Sequence, residues 1–562
     1  AWNHWPIHAS TYLADIINKL GFNDSFSISD CGDLHDLIRA EAATSEVEAA
    51  AMGLNASVDV ENRCGTEIYD HVIEAIHAGM LAESTLNTSV ARVLRHKFSA
   101  GLFDKPYQSE KGLVEMRSPR HLQLSLEAAQ QGVVVLKNAP LAAARDAILP
   151  LDLEKFAGRT IAVIGPLGAC TEGSPQAGKY CALPNGCEAS CALLGKTFQP
   201  LATDSRVATL VEVLQEAAAQ MAAHGRAPQI EYARGSNVDN VTGHGLNLTM
   251  LQTAVDLAAR ADLIILAVGD SVHSCSEGYG PAQIEEGAGG GGDRDSLELS
   301  SGQQELLEAV TQAKRSKAPL VVALVHGRPI TFGKDNHLLD GIDALVSAGR
   351  GGEFASRGLL DVLTGRAEPS GRLSNSWPRN VGQVGGPGAS ALHQVVGNWG
   401  PSTLQYKRSY FFSDASPLFA FGFGLAYTSF SLVEATVTSS QQAGSLKQLL
   451  AANSLLATVS TTVVNQGARG GYVIVQVYAH DPPGVGVIRY YRRLVGFTKA
   501  YMDPGQTKAV FVNITADAIS FTSRPPEYAR QIFPGSYRFF VSQNANDPSA
   551  IEVMMNVTKS VA

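Results

Sequence analysis

Gly21-Phe22-Asn23-Asp24-Ser25-Phe26-Ser27-Ile28-Ser29-Asp30-Cys31-Gly32-Asp33 is the stretch on which the reading of this chain turns. Upstream of it, Leu13, Ile16, Ile17 and Leu20 recur at helical spacing, and Gly21 is a helix stop. Phe26 and Ile28 then alternate with serines, which predicts a short strand. That strand runs into Asp30, with Gly32 close behind. An α/β barrel places its chemistry on carboxylates at the carboxyl ends of strands, beside such turns. Asp next to Gly is also an ordinary turn pattern, so the rest of the chain has to decide between the two.

Working outward, helices are predicted over Leu37–Met52, Thr66–Ala78 and Thr88–Phe103, with a second short strand near Val58–Val60. A complete (β/α)8 barrel takes eight βα units and about 250 residues. Residues 1–105 could supply only its last two or three. From about 125 to 380 the texture changes. Continuous apolar runs at Gly132–Leu136, Ile161–Ile164, Leu263–Val268, Leu320–Val325 and Ala344–Ser347 predict strands buried on both faces. Helical patterns at Val207–Ala222, Thr253–Ala261, Gln303–Arg315 and Ala355–Leu363 predict a mostly parallel sheet covered on both sides. The Gly/Pro/Ser-rich stretch 380–425 reads as a linker or long loop. Beyond Phe430, short alternating strands are predicted at Ala457–Val464, Tyr472–Tyr478, Leu494–Phe497, Ala509–Ile514 and Ser536–Val541. Turn signals such as Pro504-Gly505 and Pro534-Gly535 separate them, which is the pattern of a fibronectin-like β-sandwich.

Composition narrows the function classes. The chain has 562 residues, too many for one core, with 45% apolar and 17% charged residues. A net charge of −9, with no Lys/Arg cluster, argues against a nucleic-acid partner. No apolar run approaches the roughly 20 residues of a membrane span. The chain opens on Ala1 with no leader-like segment, which argues neither for nor against a signal peptide. Cys170, Cys181, Cys187 and Cys191 crowd one short stretch, while Cys31, Cys64 and Cys275 stand apart. The crowded set lacks a C-x2-C pair and a nearby His, so local disulfides are favoured over zinc. N-x-S/T sequons at Asn23, Asn55, Asn87, Asn240, Asn247, Asn513 and Asn556 add to an expectation of secretion. The glycines 289–292 precede no Lys-Ser/Thr, so they are not a phosphate loop, and no G-x-S-x-G elbow occurs. His4 and His8 have no visible triad or metal partners.

The order of these parts resembles glycoside hydrolase family 3, in its β-xylosidase-like branch. The likeness rests on Gly21–Gly32, on Val133-Val134-Val135-Leu136-Lys137-Asn138 and on Ile161–Pro166. It continues through Gly292-Asp293-Arg294-Asp295-Ser296-Leu297-Glu298-Leu299 with Gln303-Gln304, Pro369–Leu373 and Phe421–Thr428. The resemblance implies a multidomain α/β plus β protein. Residues 1–110 would be the carboxyl-terminal part of a barrel, 120–395 an α/β sandwich domain, and 420–562 a fibronectin type III-like β-sandwich. It implies a substrate that is an oligosaccharide or glycoside, and no cofactor or metal. The family's upstream barrel strands and their Lys-His pair are not in this sequence, so residues 1–562 alone are expected to be inactive.

Cleaving a glycosidic bond takes two carboxyl groups, about 5–5.5 Å apart in a retaining enzyme, one as nucleophile and one as acid then base. The resemblance gives Asp30 the nucleophile role, while Asp24 and Asp33 read as turn or surface residues. For the acid/base, Glu277 in Ser274-Cys275-Ser276-Glu277-Gly278 is favoured, with Glu286 the alternative and Glu285 a further rival. Gly290 occupies the offset where the family most often has its Glu. Cys31 stands where β-glucosidases of the family mostly have Trp, and such members look like β-xylosidases, sometimes also α-L-arabinofuranosidases. A retaining β-xylosidase is therefore the expected activity. A β-glucosidase of the same family, or a non-catalytic carbohydrate-binding or scaffold fragment, are the alternatives.

Overall fold

The computed structural model describes residues 25–30, 32–62, 67–107, 118–139, 147–169, 208–238, 247–270, 296–299, 301–384, 416–440, 445–483, 492–523 and 529–558. The chain forms two compact units, residues 1–118 and 119–562.

In the first unit, Ile28 and Val60 form an isolated parallel bridge where the two short strands were expected, and among the described residues neither stretch extends into a strand. Between them lie α1 (Asp33–Arg39) and α2 (Glu46–Asn55). The single predicted helix Leu37–Met52 is thus two. Glu41 takes a left-handed φ of 56° that a helix cannot continue, and the Ser45 hydroxyl accepts from Glu48 N to start the second helix. A 3-10 turn at Ile68–His71 leads into α3 (Val72–His77), followed by α4 (Glu83–Ser99). Leu34, Leu37, Ala49, Ala50, Leu54, Ile68 and Ala75 build the local core. In the stretch before Asp30 the serines face inward: Ser29 is buried, while Phe26 and Ile28 are exposed.

The second unit begins with α5 (Pro119–Gly132), which the sequence pattern did not reveal. A six-stranded sheet follows, built from β1 (Val134–Asn138), β2 (Thr160–Ile164), β3 (Gln229–Ala233), β4 (Leu263–Gly269), β5 (Leu320–Val325) and β6 (Ala344–Ser347). The strand order is β1-β6-β5-β4-β2-β3, parallel throughout except that β1 runs antiparallel to β6. Alternate residues of each strand feed two cores. Ile161, Val163, Ile265 and Val321 meet α6 (Leu210–Ala222) and α9 (Ala355–Leu363) on one face. Ala162, Ile164, Ile264 and Val322 meet α7 (Leu248–Arg260) and α8 (Ser301–Ala313) on the other. Thr209 and Glu212 form a reciprocal capping box that fixes the start of α6. Coverage of both faces explains the unbroken apolar runs of β4 and β5.

The stretch read as a linker from 380 to 425 is integral to this domain where it is described. Leu425 N donates to Val135 O at 2.8 Å, and Trp377, 1% exposed, bridges Phe419. The chain then enters a sandwich made of a three-stranded sheet, β11-β8-β7, and a four-stranded sheet, β10-β9-β14-β15. These strands are β7 (Phe430–Ser439), β8 (Leu455–Asn465), β9 (Gly471–His480), β10 (Arg493–Met502), β11 (Thr507–Thr515), β14 (Gly535–Ser542) and β15 (Ile551–Val557), with a small hairpin of β12 (Phe521–Thr522) and β13 (Arg530–Gln531) between them. Its core holds Val459, Val475, Val477, Val512, Tyr537 and Phe539. The α/β and β-sandwich parts are joined by Arg469 to Glu368 (2.5 Å), Lys499 Nζ to Ser370 Oγ (2.8 Å) and Gln476 Nε2 to Gly422 O (3.0 Å). Among the described residues no helix is long and apolar enough to cross a membrane.

Candidate active site

Asp30 follows the Ile28 bridge by two residues and is an exposed side chain. Its backbone N donates to Asp33 Oδ2 at 2.9 Å. Asp33, expected to be a turn or surface residue, is therefore the group that fixes the turn after Asp30. Gly32 makes the turn possible with φ 78°, a left-handed conformation in which a side chain would be strained. Behind Asp30 the extended stretch is locked by polar bonds. Ser29 N donates to Val60 O (3.0 Å), and Asn62 N donates to the buried Ser29 hydroxyl (3.0 Å). Ser27 N donates to Asp59 Oδ2 (3.0 Å), and Arg92 pairs with Asp59 Oδ1 at 3.1 Å. The Asp59 side chain is fully buried, so the Arg92 charge and the Ser27 amide are what permit its burial. Tyr69 donates to Val58 O at 2.5 Å, and burial first, then the charges of Asp59 and Glu61, push its hydroxyl above the ordinary tyrosine range.

In the second unit, the carboxyl edge of the parallel sheet carries a cluster of polar residues. Open α/β sheets bind ligands at that edge. Asp270, at the end of β4, is 1% exposed and pairs with Arg328 Nη2 at 2.9 Å. Arg328 also donates to Leu297 O (2.8 Å), Glu298 O (3.0 Å) and Pro329 O (3.2 Å). One guanidinium therefore ties the chain as it leaves β4 to the chain at 297–298, the two ends of the segment in which Glu277 stands. Gln303, wholly buried on α8, adds a second tie. Its Oε1 accepts from Gly269 N (2.8 Å) and its Nε2 donates to Gly269 O (2.7 Å) and Val238 O (2.6 Å).

His326, beyond β5, places Nε2 2.8 Å from Ser347 Oγ and its ring edge-on to Trp377. Burial above all, then the guanidinium charges of Arg328 and Arg350, push its imidazole down to about 4. It is neutral at physiological pH, acting as a hydrogen-bonding spacer rather than a cation.

Cys31, Glu277, Glu285 and Glu286 lie outside the described residues, as do Asp24, the Asp293-Arg294 pair, His4, His8, all seven cysteines and glycines 289–292. Among the described residues no His/Cys/Asp/Glu group is arranged to hold a metal. The Asp270–Arg328 and Asp59–Arg92 pairs were not anticipated from sequence. A local signal existed for the first: Asp270 directly follows a buried strand, and His326-Gly327-Arg328-Pro329 directly follows the next one.

Comparison with known proteins agrees with this architecture. Residues 133–427 match the glycosyl hydrolase family 3 C-terminal domain, and residues 473–545 match a fibronectin type III-like domain. A β-xylosidase of Formosa agariphila is 29% identical, over 98% of this chain and 68% of the relative. A periplasmic β-glucosidase of Salmonella typhimurium is 28% identical, over 95% of this chain and 63% of the relative. The chain thus spans about two thirds of the length of these relatives. The solved structure of a β-glucosidase from Erythrobacter marinus superposes with a TM-score of 0.74 at 26% identity, covering 98% of this chain and 65% of that one. The domain match extends over more than half of the chain, and the chain belongs to glycosyl hydrolase family 3.

Proposed function

We propose that this chain carries catalytic residues of a secreted, exo-acting retaining glycosidase that releases β-linked xylose from xylan-derived oligosaccharides. Asp30 is the nucleophile and Glu277 the acid/base, with Glu286 the alternative for the second role. One observation carries the reading: Asp30 is an exposed carboxylate two residues beyond the parallel bridge at Ile28, its backbone fixed by Asp33 and followed by left-handed Gly32. In this chemistry Asp30 attacks the anomeric carbon while the acid protonates the departing oxygen. The same Glu, now a carboxylate, takes a proton from the water that releases the sugar. The preference for xylose rests on Cys31 beside Asp30, since a small side chain leaves less surface for a C5 substituent. Secretion is supported by the sequons. Asn55, Asn87, Asn247, Asn513 and Asn556 are exposed.

A second reading is a β-glucosidase, favoured by the Salmonella relative and the Erythrobacter structure. The test is Asp30→Ala, made in residues 1–562 and in the chain extended upstream to the length of its relatives. The extended chain is expected to cleave an activated aryl β-xyloside and to lose nearly all turnover on substitution. Azide should then restore cleavage and yield the α-glycosyl azide. Near-unchanged turnover in Asp30→Ala removes the nucleophile assignment.

A further inference from the structure

A cavity of about 390 Å³ opens beside the chain at Ser296–Glu298, within the α/β domain. It is bounded by Ser296, Glu298, Lys334, Asp335, Arg379 and Asn380. Its floor is the parallel bridge between Glu298 and Thr331, closed by Thr331 N donating to Leu297 O at 2.9 Å. Binding sites for small molecules begin at roughly 300 Å³ and are mostly apolar. This cavity is in that size range but is lined mainly by polar groups.

Its wall contains an unusual piece of backbone. Asp335 and Asn336, neither of them glycine, stand in succession at φ 57° and 59°. Two such residues cost about 1–3 kcal/mol each, and persist only where the surroundings enforce them. Here Asn336 does the enforcing. It is buried, its Oδ1 accepts from Phe332 N (2.9 Å), and its Nδ2 donates to Arg379 O (2.9 Å). The left-handed pair turns the chain so that Lys334 and Asp335 border the cavity. Arg379 is held on the far side by Ser416, at 3.1 Å to its carbonyl and 3.2 Å to its hydroxyl. Among the described residues, the side chains of Lys334, Asp335 and Asn380 make no hydrogen bond or ion pair.

We infer that this cavity is a carbohydrate-binding subsite that takes one neutral sugar residue of an oligosaccharide. The ligand class follows from the lining. Two cations, Lys334 and Arg379, are balanced by two carboxylates, Glu298 and Asp335, so no net charge selects an anion or a cation. The carboxylate of Asp335, the ammonium of Lys334 and the amide of Asn380 offer donors and acceptors together, which is what the ring hydroxyls of a sugar require. The inference rests on the glycosidase reading only in expecting an oligosaccharide, and its residues belong to the α/β domain alone.

The test uses residues 1–562 carrying Asp30→Ala, so that no ligand is consumed. Xylobiose and cellobiose are titrated calorimetrically, with inorganic phosphate as the anionic control. Binding of at least one disaccharide is expected, and none of phosphate. Asp335→Gly removes the carboxylate where glycine accepts the backbone conformation, and Asn380→Ala removes the amide. Each is expected to weaken binding about fivefold, as for loss of one hydrogen bond, with no fall in melting temperature. Binding indifferent to both substitutions, binding of phosphate alone, or no disaccharide binding overturns the subsite. Absence of hydrolysis by the extended wild-type chain, with binding still sensitive to Asp335 and Asn380, overturns the glycosidase reading and leaves the subsite in place.

Discussion

Arg328 and Asp270 form a buried ion pair, with Nη2 2.9 Å from Oδ1 and side chains 13% and 2% exposed. The same guanidinium holds Leu297 O and Glu298 O, so the pair joins three chain segments rather than two side chains. Arg328→Met leaves Asp270 charged and buried without its partner. Removing one member of such a pair costs about 3–5 kcal/mol, and urea unfolding at neutral pH is expected to show a loss of that size. Asp270→Asn combined with Arg328→Met should recover part of it. An Arg328→Met protein as stable as the parent would show that the pair contributes little.

His326 makes stability depend on pH. Its folded value, about 4, lies below the ordinary histidine value, so on acidification the unfolded chain takes up the proton first. Stability is therefore complete above about pH 6.5 and falls as the pH drops toward 4. The loss from this one residue amounts to about 3 kcal/mol by the usual conversion of pKa shift to free energy. His326→Gln is expected to flatten the pH dependence between 6.5 and 4 in urea unfolding. An identical slope in parent and variant contradicts the assignment.

Gly269 tolerates no side chain. Its φ is 147°, and an added Cβ would fall 1.8 Å from Val325 O on the neighbouring strand. Gly269→Ala must push β4 from β5 just where Asp270 and Gln303 are anchored. Backbone strain and overpacking together predict a loss of roughly 3 kcal/mol or more, read as a lower melting temperature or failure to accumulate as soluble protein. Gly158→Ala, which also has a left-handed φ but nothing within 4 Å of an added Cβ, is the milder control.

Sugar preference can be separated from catalysis. With the extended chain, kcat/KM for an aryl β-xyloside is expected to exceed that for the matching β-glucoside, because Cys31 offers less contact surface to a C5 hydroxymethyl group than a Trp would. Cys31→Trp should lower xyloside turnover. A clear glucoside preference in the parent supports the second reading instead.

The parts of the fold legible in sequence were those whose burial is uniform. β5 and β6 fall on the predicted residues, because strands covered on both faces admit little but Val, Leu, Ile and Ala. β3, β7 and β15 escaped notice because each is an edge strand, and residues such as Glu231, Glu434 and Glu552 interrupt its apolar pattern. The turn after Asp30 was legible, since Gly32 and Asp33 are its neighbours in sequence, whereas the expected strand is reduced to one bridge at Ile28. The ties from Arg328 to Asp270 and from Gln303 to Val238 were not. They span 58 and 65 residues, and local periodicity carries no information about such pairings.

The bridge from Leu425 to Val135 has a consequence for how the protein comes apart. By lying along β1, the returning chain occupies the outer edge of the six-stranded sheet, an edge that would otherwise invite another molecule to pair with it. Leu373 N to Phe423 O (2.9 Å) and Gly422 N to Leu373 O (2.8 Å) stitch the same return segment further in. A single cut between Val384 and Ser416 would therefore break the covalent chain without separating the pieces. The nicked protein should migrate as one particle in native gels and as two bands only after denaturation.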